Sequence, residues 1–422
     1  MSIDLKKIIE QFPDCVSNGD KLKGILSDLY ASEPKGVINT LVTIVKSGIA
    51  KEMQNTAVTD LNKARWKKQL EDDYALSEKV VEICLALWTT AFKTNLADFV
   101  IIDGVLVKYQ GSNSTVVIPD GVTSIGDNAF SDCNDLVRLT IPDGVTRIGN
   151  MAFWGCNSLT SVTIPDSITS IGDSAFFCCR SLTDITIPNG VTRIGNMTFC
   201  ECSSLTNVTI PDSVTSIGDG AFYCCRSLVS IMLPDSVTSI GDGAFCFCER
   251  LTDVTIPDGI TSIGKSTFSG CMSLARITLP NGVTNIGVSA FDDCRCLTDI
   301  VLPDSVTSIG KSAFIGCIRL ANLTIPDGLT SIGEGAFCYC ERLTGITIPN
   351  SVKTIGKSAF YGCDELTSFV YQGTKEQWNA LKNGEISDPD AQSFLVHCTD
   401  GNAKIEVAYP EYLEEEEKDL PI

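Results

Sequence analysis

The chain has 422 residues, 44% of them hydrophobic and 20% charged, a balance that supports a large packed core and excludes intrinsic disorder. Acidic residues outnumber basic ones 52 to 32, and the net charge of −20 repels phosphate, which argues against nucleic acid or an anionic membrane as partner. One histidine in the whole chain removes most His-based catalysis and His-rich metal sites. No apolar run is long enough to span a bilayer, and the start MSIDLKKIIEQF lacks a basic segment followed by an apolar one. The expectation is a cytoplasmic chain without membrane insertion, with delivery to the cell surface by a non-classical route as the alternative.

Residues 1–98 carry nearly balanced charge, 13 basic against 14 acidic, and helical spacing. Leu22, Ile25, Leu26 and Leu29 fit one face, and Val37, Leu41, Ile44 and Val45 a second. Leu76, Val80, Ile83, Leu87 and Trp88 fit a third. The pattern predicts a small all-α bundle of four or five helices, with Trp66 and Trp88 in its core. Its exposed helix faces are candidates for partner binding or oligomerisation. Residues 99–115 predict a capping hairpin: Phe99–Ile102 and Val105–Tyr109 are joined by Asp103-Gly104, a type I′ turn signal, and the hairpin is expected to cover the first strand of the segment after it.

From 116 to 369 the sequence repeats. Eleven of the sixteen prolines stand 23 residues apart, from Pro119 to Pro349. Columns of phenylalanine (Phe130 to Phe360), cysteine (Cys133 to Cys363), leucine (Leu136 to Leu366) and glycine (Gly126 to Gly356) keep the same step. In the unit Leu159-Thr-Ser-Val162-Thr-Ile164, β-branched residues alternate as a short, one-face-buried strand. Pro165-Asp166 ends it in a turn, and Ile168 and Ile171 point a second extended stretch inward. Gly172 is expected to supply a positive φ, and Ala175-Phe176 with Cys179 one short helical turn. A single unit has too small an apolar face to offset the entropy of ordering it, so eleven units must stack into a solenoid about 50 Å long.

Residues 370–410 break the period and predict a C-terminal cap: a short helix with Trp378 and Leu381 inward, then a strand over Phe394–Cys398. Residues 411–422, with Glu414 to Glu417, predict a solvated acidic tail.

The unit I-P-D-x-V-T-x-I-G-x-x-A-F-x-x-C resembles the BspA-like subtype of the leucine-rich repeats over roughly residues 99–400. The resemblance implies a curved solenoid with a parallel sheet on its concave side, so the expected fold class is α+β, the repeat solenoid preceded by the helical bundle. It also implies attachment to host or extracellular proteins at the cell surface.

Motifs of enzyme chemistry are weak. Gly259-Ile-Thr-Ser-Ile-Gly264-Lys265-Ser266 matches the phosphate-binding loop pattern, but Ile260 and Ile263 belong to core columns and the lysine is one variant of a repeat position. His397 beside Cys398 points to the opposite face of a strand, and no acidic residue completes a triad. Asp120, Asp143 and Asp166 recur as turn residues. No motif calls for a cofactor or metal. Of twenty cysteines, eleven form the buried column; Cys178, Cys200, Cys224, Cys246, Cys296 and Cys338 lie nearby. In a reducing compartment these stay thiols, whereas in an exported chain neighbouring coils bring them within disulfide reach. The sequons at Asn113, Asn196, Asn207 and Asn322 matter only for a secreted chain.

What remains is surface, and the expected function is a non-enzymatic scaffold for a protein partner, with a cell-surface adhesin as the alternative. One candidate face is the concave pair of rows formed by Arg138, Ser161, Asp184, Asn207 and Asp253 and by Thr140, Thr163, Thr186, Thr209 and Thr255. The other is an aromatic ridge of Trp154, Phe177, Tyr223, Phe247, Tyr339 and Tyr361, just past the phenylalanine column.

Overall fold

The computed structural model describes residues 3, 5–30, 35–55, 60–91, 98–383 and 392–407. Its N-terminal part holds α1 (Leu5–Gln11), a 3-10 turn (Pro13–Val16), α2 (Gly19–Leu29), α3 (Lys35–Lys46), α4 (Ile49–Asn55), α5 (Asp60–Tyr74) and α6 (Glu78–Ala91). Asn18 caps α2 by accepting the Lys21 N–H at 3.0 Å. The helices number six among the described residues rather than four or five, in part because Gly48, at φ 82°, divides α3 from α4. Leu22, Leu26, Val37, Leu41, Ile44, Val45, Trp66 and Trp88 share one core. Two faces differ from the expected ones. Leu29, at the end of α2, is 59% exposed. On α6 the buried stripe is Val81, Cys84, Leu85 and Trp88, because that helix packs against α1, α3 and α5 together and turns its middle face inward.

From residue 99 the chain winds as a β-solenoid of about twelve turns, and a second, separate core runs through it. Each coil contributes two strands. The first is two to four residues long, as in Ser161–Thr163, with Val162 inward between two exposed neighbours. It pairs in parallel with its copy in a neighbouring coil, in separate runs of two to four strands: Arg138↔Ser161, Asp184↔Asn207, Arg276↔Asp299. The proline turn comes next, closed by hydrogen bonds such as Ile168 N–H to Pro165 O at 3.1 Å. The second strand is in most coils a Ser-Ile or Arg-Ile dipeptide, with Asn285-Ile286 and Thr354-Ile355 in two others, and it builds its own parallel ladder, with pairs such as Ile148↔Ile171 and Ile263↔Ile286. Two residues of extended chain carry too short a pattern to announce a sheet, yet stacking turns them into one.

The remainder of each coil is a set of hydrogen-bonded turns rather than the expected helical turn. Two residues per coil adopt left-handed backbone, for example Ser174 at φ 54° and Cys178 at φ 59°, and a right-handed turn cannot contain them. Between them Phe176 swings into the core. The eleven phenylalanines stack face to face with centroids 5.0–5.6 Å apart and planes within 24°. The glycine column also has a different cause from the expected one. Gly172 is not among the residues with positive φ. A Cβ there would lie 2.5 Å from Asn150 N and 2.6 Å from Gly149 C, both backbone of the preceding coil. Glycine is required because two main chains touch.

Both ends are closed by aromatic residues. The hairpin Phe99–Ile102 and Val105–Tyr109 turns at Asp103 (φ 50°) and Gly104 (φ 77°). It extends the second ladder through Leu106↔Ile125, not the first strand as expected, because Tyr109 must lie on Phe130, with centroids 5.1 Å apart. At the other end α7 (Lys375–Ala380) begins with a capping box of Thr374 and Gln377. Its Trp378 is buried against Phe369 and Tyr371 and donates Nε1–H to Lys404 O at 3.2 Å. The strand Gln392–Cys398 joins the first ladder and carries an antiparallel partner, Gly401–Val407, that the sequence pattern does not announce. The acidic tail, 411–422, lies outside the described residues.

Candidate partner-binding surfaces

The first strand ladder places the strand-face candidates in two rows, one residue of each row per coil. Arg138, Ser161, Asp184, Asn207 and Asp253 open their strands and are exposed; Thr163, Thr186, Thr209 and Thr255, two positions on, are exposed as well, and Thr140 is half-buried. Register brings Arg138 beside Ser161, Thr140 beside Thr163, Asp184 beside Asn207 and Thr186 beside Thr209. Asp253 pairs with Ser230, and Thr255 bridges to Thr278. Within the threonine row Met232 and Val301 stand clear, at 83% and 74% exposed, whereas Val117 and Val370 at its two ends are half-buried.

The aromatic candidates do not form one ridge. Trp154 is exposed, and Phe177, Tyr223, Phe247, Tyr339 and Tyr361 are half-buried. Tyr223 meets Phe247 edge-on at 5.7 Å, and Tyr339 meets Tyr361 in the same way at 5.7 Å. Tyr339 and Tyr361 pack on Ile315 and Cys338 as a small satellite cluster. Between the two groups the equivalent positions are Ser269, Gly270, Asp292 and Asp293, so the apolar strip is interrupted. Met151 and Met197, which sequence reasoning did not single out, are exposed on the coils of the first group.

Two side-chain ladders account for residues with candidate chemistry. In the first, Asp127 Oδ1 accepts the Asn150 N–H at 2.8 Å, and Asn150 Oδ1 accepts the Asp173 N–H at 2.9 Å. The series continues through Asn196, Asp219 and Asp242 to the Lys265 N–H. This assigns the amide of Lys265, so the phosphate-loop pattern does not aim that N–H at a ligand. The signal was present in the sequence as an Asp/Asn column after the glycine, but its role needs the coil-to-coil register.

The second ladder is made of thiols. Ten column cysteines, Cys156 to Cys363, donate S–H to the phenylalanine carbonyl of the preceding coil at 3.1–3.3 Å. Burial pushes their ionisation up, to about 12 for Cys156 and further for the deeper ones. They are donors, not nucleophiles. His397 is exposed with Nδ1 3.1 Å from Asn402 Oδ1. Among the described residues, no three His, Cys, Asp or Glu side chains are grouped to hold a metal ion, and no helix is long and apolar enough to cross a membrane.

The repeat unit matches the BspA type leucine rich repeat region in six copies, over residues 106–189, 169–298 and 284–388. Among solved structures, a leucine-rich repeat protein from Bacteroides ovatus is 30% identical with a TM-score of 0.53, covering 65% of this chain and 71% of its own. A leucine rich cell surface protein from Faecalibacterium prausnitzii is 32% identical with a TM-score of 0.44, covering 69% of this chain and 96% of its own. No curated protein matches the chain. The 23-residue register, the stacked parallel coils and a family match across more than half the length agree: the chain belongs to the BspA type leucine-rich repeat family.

Proposed function

We propose that this repeat protein is a non-enzymatic scaffold that binds another protein across the strand face. The observation that carries the reading is the pair Met232 and Val301, large apolar side chains left bare in a row that is otherwise mostly threonine. They stand three coils apart, about 14 Å at strand spacing, with Asp253, Arg276 and Asp299 alongside. Two apolar anchors within a charged frame suit a protein partner. The face is preformed by backbone ladders, so binding costs little ordering entropy.

The test uses a partner recovered with the full chain. Met232→Glu with Val301→Glu lowers its affinity by about tenfold or more while the melting temperature holds. Charge reversal at Arg138, Asp184 and Asp253 weakens binding by a smaller step. Unchanged affinity in both sets moves the site to Trp154 and Phe177 or to the helical module. The favoured compartment is the cytoplasm. The rival is the surface adhesin role that the family resemblance implies, and protease treatment of intact cells separates the two compartments, since cleavage of the chain places it at the surface and favours the adhesin.

A further inference from the structure

Four cysteines outside the column form two matched pairs on one side of the solenoid. Cys178 and Cys224 sit two residues past Phe176 and Phe222; Cys200 and Cys246 sit one residue past Phe199 and Phe245. The Cys178 N–H donates to Cys200 O at 2.8 Å, and the Cys224 N–H to Cys246 O at 2.8 Å. Direct main-chain pairing between adjacent coils holds the two Cα atoms of each pair about 5 Å apart, inside the roughly 4.4–6.8 Å window a disulfide requires. The constellation occurs twice, 46 residues apart: Cys178 with Arg180 and Cys200, then Cys224 with Arg226 and Cys246. In each, an arginine Nη2 lies 4.0 Å from the first cysteine's Sγ and is anchored by a carboxylate of the next coil, Glu201 or Glu249.

We propose that Cys178–Cys200 and Cys224–Cys246 are two oxidation sites that close into disulfides stapling adjacent coils when a small-molecule disulfide such as oxidised glutathione is present. The thiolate of Cys178 attacks one glutathione sulfur, the glutathione S–S bond breaks, and one reduced glutathione leaves. Cys200 then loses its proton and attacks the Cys178 sulfur of the mixed disulfide, releasing the second glutathione. Two cysteines give up two protons and two electrons, and one glutathione disulfide becomes two thiols. Cys224 and Cys246 take the same course. Cys178, the more open member of the first pair, meets the oxidant; burial and its S–H bond to Glu201 Oε2 at 3.3 Å raise its ionisation, and Arg180 partly offsets them. The column thiols Cys179, Cys202, Cys225 and Cys248 stay out of the reaction, because each is fully buried with its S–H on a carbonyl.

Purified full-length protein is incubated with oxidised glutathione, quenched with N-ethylmaleimide, and mapped by peptide mass spectrometry. The expected products are the 178–200 and 224–246 cross-links, an intact mass lower by about 4 Da, and a melting temperature higher by a few degrees that dithiothreitol reverses. Cys200→Ser with Cys246→Ser, checked for native circular dichroism, abolishes both cross-links. Arg180→Gln slows closure of the first pair severalfold and leaves the second at its original rate. Glutathione adducts that persist without ring closure, a Cys200–Cys224 cross-link, or a full count of free thiols in the native protein would each overturn the assignment.

Discussion

At the scale of single residues, the solenoid discriminates between positions that look alike in sequence. Gly172 is fixed by contact with the backbone of the preceding coil, whereas Gly121, at φ 88° with no heavy atom near its missing Cβ, is fixed by conformation. Gly172→Ala should therefore cost about 2–3 kcal/mol and Gly121→Ala only about 1 kcal/mol, measured by urea denaturation. Equal costs would show that contact is not the cause. Ser312 presents the opposite opportunity. It is buried at φ 53° and its hydroxyl has no hydrogen-bond partner, while the equivalent positions in three other coils are Gly220, Gly243 and Gly335. Ser312→Gly should raise stability by about 1 kcal/mol, and a lower denaturation midpoint would contradict this. In the Asp/Asn ladder, Asn150 separates the carboxylates of Asp127 and Asp173. Asn150→Asp keeps the acceptor but lines up three charges, so it should destabilise by about 0.5–1 kcal/mol in low salt and less in high salt.

At the scale of elements, the thiol ladder makes the solenoid sensitive to alkali. A buried thiol keeps its full contribution below its unfolded ionisation near 9, and loses it as pH climbs toward the folded value, about 12 for Cys156. Ten such donors titrate together on unfolding, so the urea midpoint should fall steeply between about pH 9 and about pH 11. A midpoint that stays level across that range would mean the thiols are not held protonated by burial. The caps behave differently from the coils they cover. Trp378→Ala removes the ring that closes Phe369 and Tyr371, at a cost of about 3–5 kcal/mol locally. Hydrogen exchange should quicken around Ile355 to Tyr371 and remain unchanged around Phe130, because each coil touches only its neighbours.

At the scale of the whole molecule, the register is the unit of design. Deleting residues 257–279 removes one 23-residue coil and leaves every column aligned, so the shortened chain should fold with native circular dichroism and a modestly lower melting temperature. Deleting one residue fewer shifts phenylalanine, cysteine and glycine out of their stacks, and the chain should lose cooperative unfolding. Two separate cores, one in the helices and one through the coils, predict that proteolysis between residues 91 and 98 leaves the solenoid folded.

Repeat length, the buried columns and the strand with Val162 inward were legible in the primary structure, because each arises from a local pattern repeated in register, and the inward Trp378 was legible from the helical spacing that breaks it. Local pattern misplaced what depends on contact between coils. The glycine column came from backbone touching backbone, the Asp/Asn and thiol ladders from partners a full coil away, and the second sheet from dipeptides too short to carry a period. The helices of residues 1–98 were legible in kind and, for α3, in facing, but not in number or in the facing of α6, since a single amphipathic stripe does not say how many neighbours will surround it. The candidate faces divide in the same way: Thr163, Asp184, Met232 and Val301 could be placed on one surface by alternation alone, but only the assembled stack shows how far Met232 and Val301 stand clear and that Tyr223 pairs with Phe247 and Tyr339 with Tyr361. Alternation and spacing are properties of one chain segment, whereas exposure and pairing are properties of the space between segments.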